Sequence, residues 1–248
     1  MRIGILQCDH VRDIFREQGF DSYPDMFMDC FNRAAPNLEF ASYDCVSGEF
    51  PENPRECDAF ITTGSRHSVL DDFDWVDALE DFVLDTLDAG TPYVGICFGH
   101  QLLAQALGGR VVQTDVGWGV GVSSNTIATP QWWMGDEHKN HINLIVSHQD
   151  QVVELPSDVA VLGGSEFCPI YFCQLGDNAF TVQGHPEFSR GYSRALMEFR
   201  RDIIPAPVVE TGLASLEKSI DDDLFFRWIV KFMSGQSVAL DEVDSSDP

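Results

Sequence analysis

Two hydrophobic rhythms alternate along the N-terminal half of the chain. Short runs at Arg2–Gln7, Leu38–Tyr43, Ala59–Thr62 and Tyr93–Ile96 read as strands, with Ala59–Thr62 buried. Between them lie segments with apolar residues at helical spacing. Tyr23–Ala34 is one. Trp75–Leu87 is another, with Trp75, Val76, Leu79, Phe82, Val83 and Leu87 on one side and Gly90 just beyond its end. Phe98–Leu107 is a third, stopped by Gly108-Gly109. This βαβα order predicts an α/β fold, a mostly parallel central sheet with helices on both faces.

Beyond Arg110 the pattern changes. Val116–Ile127, Leu144–Val153, Val159–Gly163, Ile170–Gln174 and Ala179–Val182 are glycine-rich or alternating, and predict shorter, partly antiparallel strands. Ser189–Ile203 returns to helical spacing. Pro205 and Pro207 then break the chain, and Leu213–Ile220 and Asp222–Met233 read as two further helices. The expected organisation is a main domain over 1–203 and a helical extension over 204–235. The extension is too short for its own core and so packs on the main domain. An acidic tail over 236–248 is expected to fray.

Composition narrows the function classes. The chain has 248 residues, 44% of them hydrophobic, which suffices for a sizeable core. Lys and Arg number 15 against 40 Asp and Glu, a formal charge of −25. That balance argues against nucleic acid and against anionic membranes as partners. No run approaches a membrane span, and the N-terminus lacks a signal peptide's apolar region and cleavage site. Seven cysteines at irregular spacings predict reduced thiols and a cytoplasmic location. No phosphate-binding glycine loop is present, and Cys168 and Cys173 lack the partner pair of a zinc site. No metal or cofactor is therefore expected.

The chemistry concentrates at Thr91–Gly109. A strand runs directly into Gly95-Ile96-Cys97-Phe98-Gly99 and then into a helix, the nucleophile-elbow pattern with cysteine as nucleophile. Glycines on both sides tolerate the tight turn. A thiol at a helix N-terminus is favoured as thiolate by the helix dipole. The N–H of Phe98 would face the oxygen of an attacked carbonyl, as half of an oxyanion hole. Such a nucleophile needs a base and an orienting group. Gly184-His185-Pro186-Glu187-Phe188 offers both, with His185 at a strand's C-terminal end and Glu187 placed to orient its ring.

The elbow, the glycine pair after its helix and the Gly184–Phe188 segment together resemble the class I (triad) glutamine amidotransferase family. The likeness is to the stand-alone group similar to the glutaminase domain of GMP synthase, and it spans roughly Arg2 to Ile203. The resemblance implies a flavodoxin-like fold, with a small antiparallel part and its site at the C-terminal ends of the strands. It also implies a Cys97–His185–Glu187 triad that cleaves the γ-amide of glutamine, or a γ-glutamyl compound, through a γ-glutamyl thioester. Gly64 would complete the oxyanion hole, and Ser65, Gln101, Ser147 and His148 would contact the substrate. Where the family commonly has small residues after this loop, the chain has Arg66 and His67, which puts the shape of the substrate in question.

Three function readings follow, beside a fourth in which the chain is a non-catalytic binding module on the same fold. In the first, glutamine is cleaved and its ammonia passes to a synthase subunit. In the second, the chain is a γ-glutamyl peptidase or transferase acting on larger γ-glutamyl compounds. In the third, it is a partner-dependent subunit with little activity alone. Other features have plainer expected roles. His100 covers the helix start, Gly135–His141 is a solvated loop, and Asp221–Asp223 is an acidic helix N-terminus. Trp132-Trp133 is either an interface pair or buried.

Overall fold

In the computed structural model the described residues are 1–135 and 139–235. Glu137 and His138 of the expected loop, and the whole acidic tail over 236–248, lie outside them. The parallel half of the sheet comprises β1 (Arg2–Gln7), β2 (Glu39–Asp44), β3 (Ala59–Thr62), β4 (Tyr93–Ile96) and, much later in the chain, β11 (Ala179–Val182). The antiparallel half comprises β6 (Gly119–Ile127), β7 (His141–His148), β9 (Val159–Gly164) and β10 (Phe172–Leu175). Among the described residues these form one sheet in the order β2-β1-β3-β4-β11-β10-β9-β6-β7. A separate two-stranded sheet joins β5 (Arg110–Gln113) to β8 (Asp150–Glu154). The architecture is thus the α/β class with a mixed central sheet.

The inner parallel strands β1, β3, β4 and β11 are largely apolar on both faces because both faces are covered, whereas the edge strand β2 has no fully buried residue. Successive side chains divide between two cores, as a two-residue period requires. Ile3, Ile5, Ile61, Val94, Ile96, Phe180 and Val182 face one core. It is closed by helices α2 (Tyr23–Ala34) and α7 (Asp222–Ser234). Leu6, Phe60, Tyr93 and Ala179 face the other, beneath α3 (Asp74–Asp88) and α4 (Phe98–Ala106). The extension predicted over 204–235 contributes Phe225, Phe226, Trp228, Ile229 and Phe232 to the first core. A third cluster joins the short α1 (Asp13–Arg16), α5 (Arg190–Phe199) and α6 (Ala206–Ser215) to Val122 and Ile145 of the antiparallel half.

Several local expectations need correction. Leu144–Val153 is not one strand: the chain leaves the main sheet after His148 and re-enters the small one at Asp150, so β7 and β8 belong to different sheets. β5 pairs with β8, a long-range partner that its own four residues do not reveal. Val116 lies in a loop ahead of β6, and His141 opens β7 instead of sitting in a loop. The helix expected at Leu213–Ile220 begins earlier, as α6. Pro205 is its N-cap and Pro207 lies in its first turn, where a missing N–H costs nothing, so these prolines start a helix instead of ending one. The tryptophan pair divides, with Trp133 fully buried against Phe180 and Trp228, and Trp132 47% exposed.

The turn from β4 into α4 is built on close approach. A Cβ on Gly95 would lie 2.5 Å from the carbonyl oxygen of Gly99, and one on Gly99 would lie 1.7 Å from Thr62 Oγ1. Thr62 and Tyr93 are hydrogen-bonded at 2.9 Å, and the Tyr93 hydroxyl donates to the Gly99 carbonyl at 3.2 Å, so neither neighbour is free to move aside. Gly99→Ala is therefore expected to destabilise the protein by about 1–3 kcal/mol. Urea unfolding followed by circular dichroism checks this as a lowered midpoint at unchanged slope.

Candidate active site

Cys97 occupies the single residue between β4 and α4, with φ 49° and ψ −90°. Backbone geometry of this kind costs about 1–3 kcal/mol for a side-chain-bearing residue and is held only by the packing around it. Its N–H donates to the Val182 carbonyl at 2.8 Å, which ties the elbow to the end of β11. Because β11 runs parallel to β4, with Val182 beside Ile96, the residues that follow each strand emerge together. That adjacency brings Cys97 and His185 into one site from distant parts of the sequence.

His185 is fixed on every side. Its N–H donates to the Ile145 carbonyl of β7 at 2.7 Å. Its ring stacks on Phe188 with centroids 4.0 Å apart and planes 7° from parallel. Its Nδ1 lies 2.7 Å from Glu187 Oε1, and both side chains are buried. Burial alone would lower the pKa of His185. The Glu187 carboxylate and the Cys97 sulfur outweigh it and raise the imidazole well above its ordinary value. Gly64 backs the ring: a Cβ there would lie 2.5 Å from His185 Cε1.

The backbone N–H groups of Phe98 and Gly64 find no acceptor among the described residues. Both border the cavities beside Cys97 and His185. The loop carrying Gly64 is anchored at its other residues. Thr63 N–H donates to the Leu6 carbonyl at 3.0 Å, and Thr63 Oγ1 accepts from Cys8 N–H at 2.9 Å. Arg66 borders both cavities, but its charge is paired. Its Nε pairs with buried Asp9 at 2.7 Å, and its guanidinium also reaches the His10 carbonyl. The departure at Arg66 thus serves as a clamp that fixes the loop.

A cavity of about 300 Å³ opens at Cys97. Ser65, Gln101, Ser147 and His148, all predicted as substrate contacts, line it. Gln101 spends both amide hydrogens on protein, donating to the Asp150 carbonyl at 2.8 Å and to Gln183 Oε1 at 3.1 Å. Gln183 in turn donates to Cys97 Sγ at 3.4 Å, a contact that the sequence pattern did not suggest. Ser147 Oγ accepts from Arg200 at 2.8 Å. Asp150, which ends the Ser147–Asp150 segment that resembles the family's pocket lining, also borders the cavity. Arg200, Trp118 and Asp71 border it too, and these three are placed by long-range packing with no local motif to mark them.

His100 and His148 are buried and held neutral. Burial lowers His100 to about 4, and its ring is engaged by Thr181 Oγ1 at 2.8 Å and the Ile170 carbonyl at 3.1 Å. This is a packing role at the start of α4. Burial lowers His148 to about 3, with charged His185 nearby adding to the effect. All seven cysteines are free thiols, and no cluster able to hold a metal occurs among the described residues. No helix among them is long and apolar enough to cross a membrane.

An elbow cysteine beside a buried His–Glu pair, on this mixed sheet, defines a class of cysteine-centred α/β proteins. The family profile "glutamine amidotransferase class-I" matches residues 70–202, and the chain belongs to that family. It is 30% identical over 225 residues to gamma-glutamyl peptidase 4 of Arabidopsis thaliana, covering 88% of this chain and 89% of that protein. It is 31% identical over 154 residues to a GMP synthase of Shewanella piezotolerans, covering 55% of this chain and 29% of that protein. A glutamine amidotransferase structure from Methylobacillus flagellatus superposes with a TM-score of 0.72 at 20% identity, covering 94% of this chain and 93% of that one. One from Thermotoga maritima gives 0.69 at 20% identity, covering 93% and 98%.

The neutral histidines predict an acid-sensitive fold. An unfolded histidine binds a proton below about pH 6.5, whereas folded His100 resists until about pH 4. Its contribution is therefore lost as pH falls through that window. His185 has the opposite sign: its contribution is complete below about pH 6.5 and fades as pH rises toward its raised folded value. In His100→Gln the stability lost between pH 7 and pH 4 should shrink by about 3 kcal/mol. Urea titrations of both proteins at the two pH values measure the difference.

Proposed function

We propose that this protein hydrolyses γ-glutamyl C–N bonds by covalent catalysis at Cys97, with γ-glutamyl peptides as substrates. The observation that carries the reaction type is the buried His185–Glu187 pair at 2.7 Å beside the strained elbow cysteine. The substrate class is supported by similarity to the Arabidopsis gamma-glutamyl peptidases across most of both chains, 29% over 212 residues for peptidase 3. The shared region covers less than a third of the GMP synthase.

In the proposed cycle the Cys97 thiolate attacks the γ-carbonyl carbon and forms a C–S bond. The carbonyl electron pair moves onto oxygen, and the N–H groups of Phe98 and Gly64 receive it. One such donor typically contributes about 3 kcal/mol to the transition state. The imidazolium of His185 gives its proton to the departing nitrogen as the C–N bond breaks. A water molecule then attacks the thioester and yields its proton to His185. The C–S bond breaks, and glutamate leaves. Glu187 holds the imidazole orientation and offsets its charge throughout, the role of the acid in serine triads. Ser65, Gln101, Ser147 and His148 shape the pocket for the glutamyl group. Gln101 does so by its free Oε1 and by positioning Gln183 against the sulfur.

Release of free glutamate from a γ-glutamyl dipeptide and from L-glutamine, measured side by side, tests this reading. Wild-type protein should cleave the dipeptide with the higher kcat/KM, and Cys97→Ala should reduce turnover to background. Glu187→Gln should lower kcat by about 10²- to 10⁴-fold with little change in KM. Turnover that survives Cys97→Ala would sink the mechanism. A preference for glutamine would instead favour supply of ammonia to a synthase partner.

A further inference from the structure

Arg200 is a cation at the site without a carboxylate partner. It lies just past the end of α5, and its guanidinium donates to Ser147 Oγ at 2.8 Å. The face of Trp118 holds it from the other side, 5.5 Å from the ring centroid. Its neighbours are the paired hydroxyls of Tyr23 and Tyr192, the Cys97 sulfur and Arg12. No carboxylate pairs with it among the described residues. Asp9, which borders the same recess, is taken by Arg66. Burial lowers the pKa of the guanidinium without removing its charge. A half-buried guanidinium with open donors in a cavity wall is suited to a planar anion.

Its position selects which anion. Arg200 borders both the main cavity at Cys97 and the small recess formed by Gly64, His185 and Phe188. Ile145 is bridged to His185, and Ser147 follows two residues along the same strand face, so the guanidinium is held on the His185 side of the nucleophile. That is the side to which a proton is delivered and from which the amine departs. Asp71 and Asp150 line the main cavity but not the recess, so negative charge lies where an α-ammonium group is to be held. We infer that Arg200 binds the α-carboxylate of the departing amino acid and so selects γ-glutamyl peptides over γ-glutamyl amides. The inference rests on the hydrolase reading above and assigns a specificity determinant within it.

The test compares γ-glutamyl-alanine with γ-glutamyl-alaninamide, which share every group except that carboxylate. Wild-type protein should prefer the free acid in kcat/KM by about 30-fold, the range of one charge-assisted pair. In Arg200→Met the preference should fall to near unity, and Arg200→Lys should restore part of it. Because the readout is a ratio within one protein, partial loss of folded material does not affect it. An Arg200→Met protein that keeps the wild-type ratio overturns the inference, and this includes the case in which both substrates suffer equally. Wild-type protein without a preference overturns it as well. Titration of both ligands into Cys97→Ala separates this from failure of the hydrolase reading. An Arg200-dependent preference in binding supports the assignment even without turnover, and equal binding of acid and amide overturns it.

Discussion

At Cys97 the chain must leave a buried strand and enter a helix within one residue, and the backbone pays for the turn with a strained φ of 49°. Most of the site follows from how that strain is held. Gly95 and Gly99 let the helix start press against the strand, with no room for a methyl group on either. Thr62 and Tyr93 lock the press by hydrogen bonds. The Cys97 N–H, which this turn directs away from the helix, is anchored on the end of β11. Relaxation of the elbow would therefore break contacts in three neighbouring strands at once. The thiol is presented at a helix start because the parallel half of the sheet cannot repack around any other conformation.

The same anchoring fixes the electrostatics. β11 ends beside β4, so the histidine that follows it arrives next to the sulfur already oriented. A protonated imidazole in a dry interior is costly unless it is paired, and Glu187 at 2.7 Å supplies the charge. The large negative charge of the chain has little to do with this. Among the described residues the acidic side chains lie mostly at the surface, whereas the buried charged groups of the site occur in specific pairs, His185 with Glu187 and Asp9 with Arg66. His100 and His148 remain neutral at neutral pH, so the positive charge beside Cys97 stays local to His185.

The grouping of Cys97, His185 and Glu187 was legible in the sequence because it depends on local backbone requirements. Glycine-x-cysteine-x-glycine between an apolar run and a helical pattern has few other uses, and a histidine ending a buried strand beside a glutamate completes it. The inner parallel strands were legible for a similar reason: buried on both faces, they are short, largely apolar runs. What escaped depends on partners far along the chain. The break at Gln149 between β7 and β8 follows from pairing with β5. The role of Arg66 follows from Asp9, which lies across the end of β1. Pro205 and Pro207 look like helix breakers until α6 is seen to begin on them. Gln101 was correctly placed at the cavity, but its amide hydrogens go to Asp150 and Gln183, which no spacing rule links to it.

A division of labour between the halves of the sheet follows. Cys97, Phe98 and Gly64 come from the ends of parallel strands that are covered on both faces. Trp118, Ser147 and His148 come from the antiparallel half and its loops, and Arg200 from the helix packed on it. That half packs against α5 and α6 on one face, and on the other its Ile142, Leu144, Val146 and Leu162 join the core that also holds Cys97. Through the Ile145 carbonyl it also holds His185 in place. A fold arranged in this way builds one cavity from two halves of the sheet, and many of the residues that line it lie outside the motif that identifies the family.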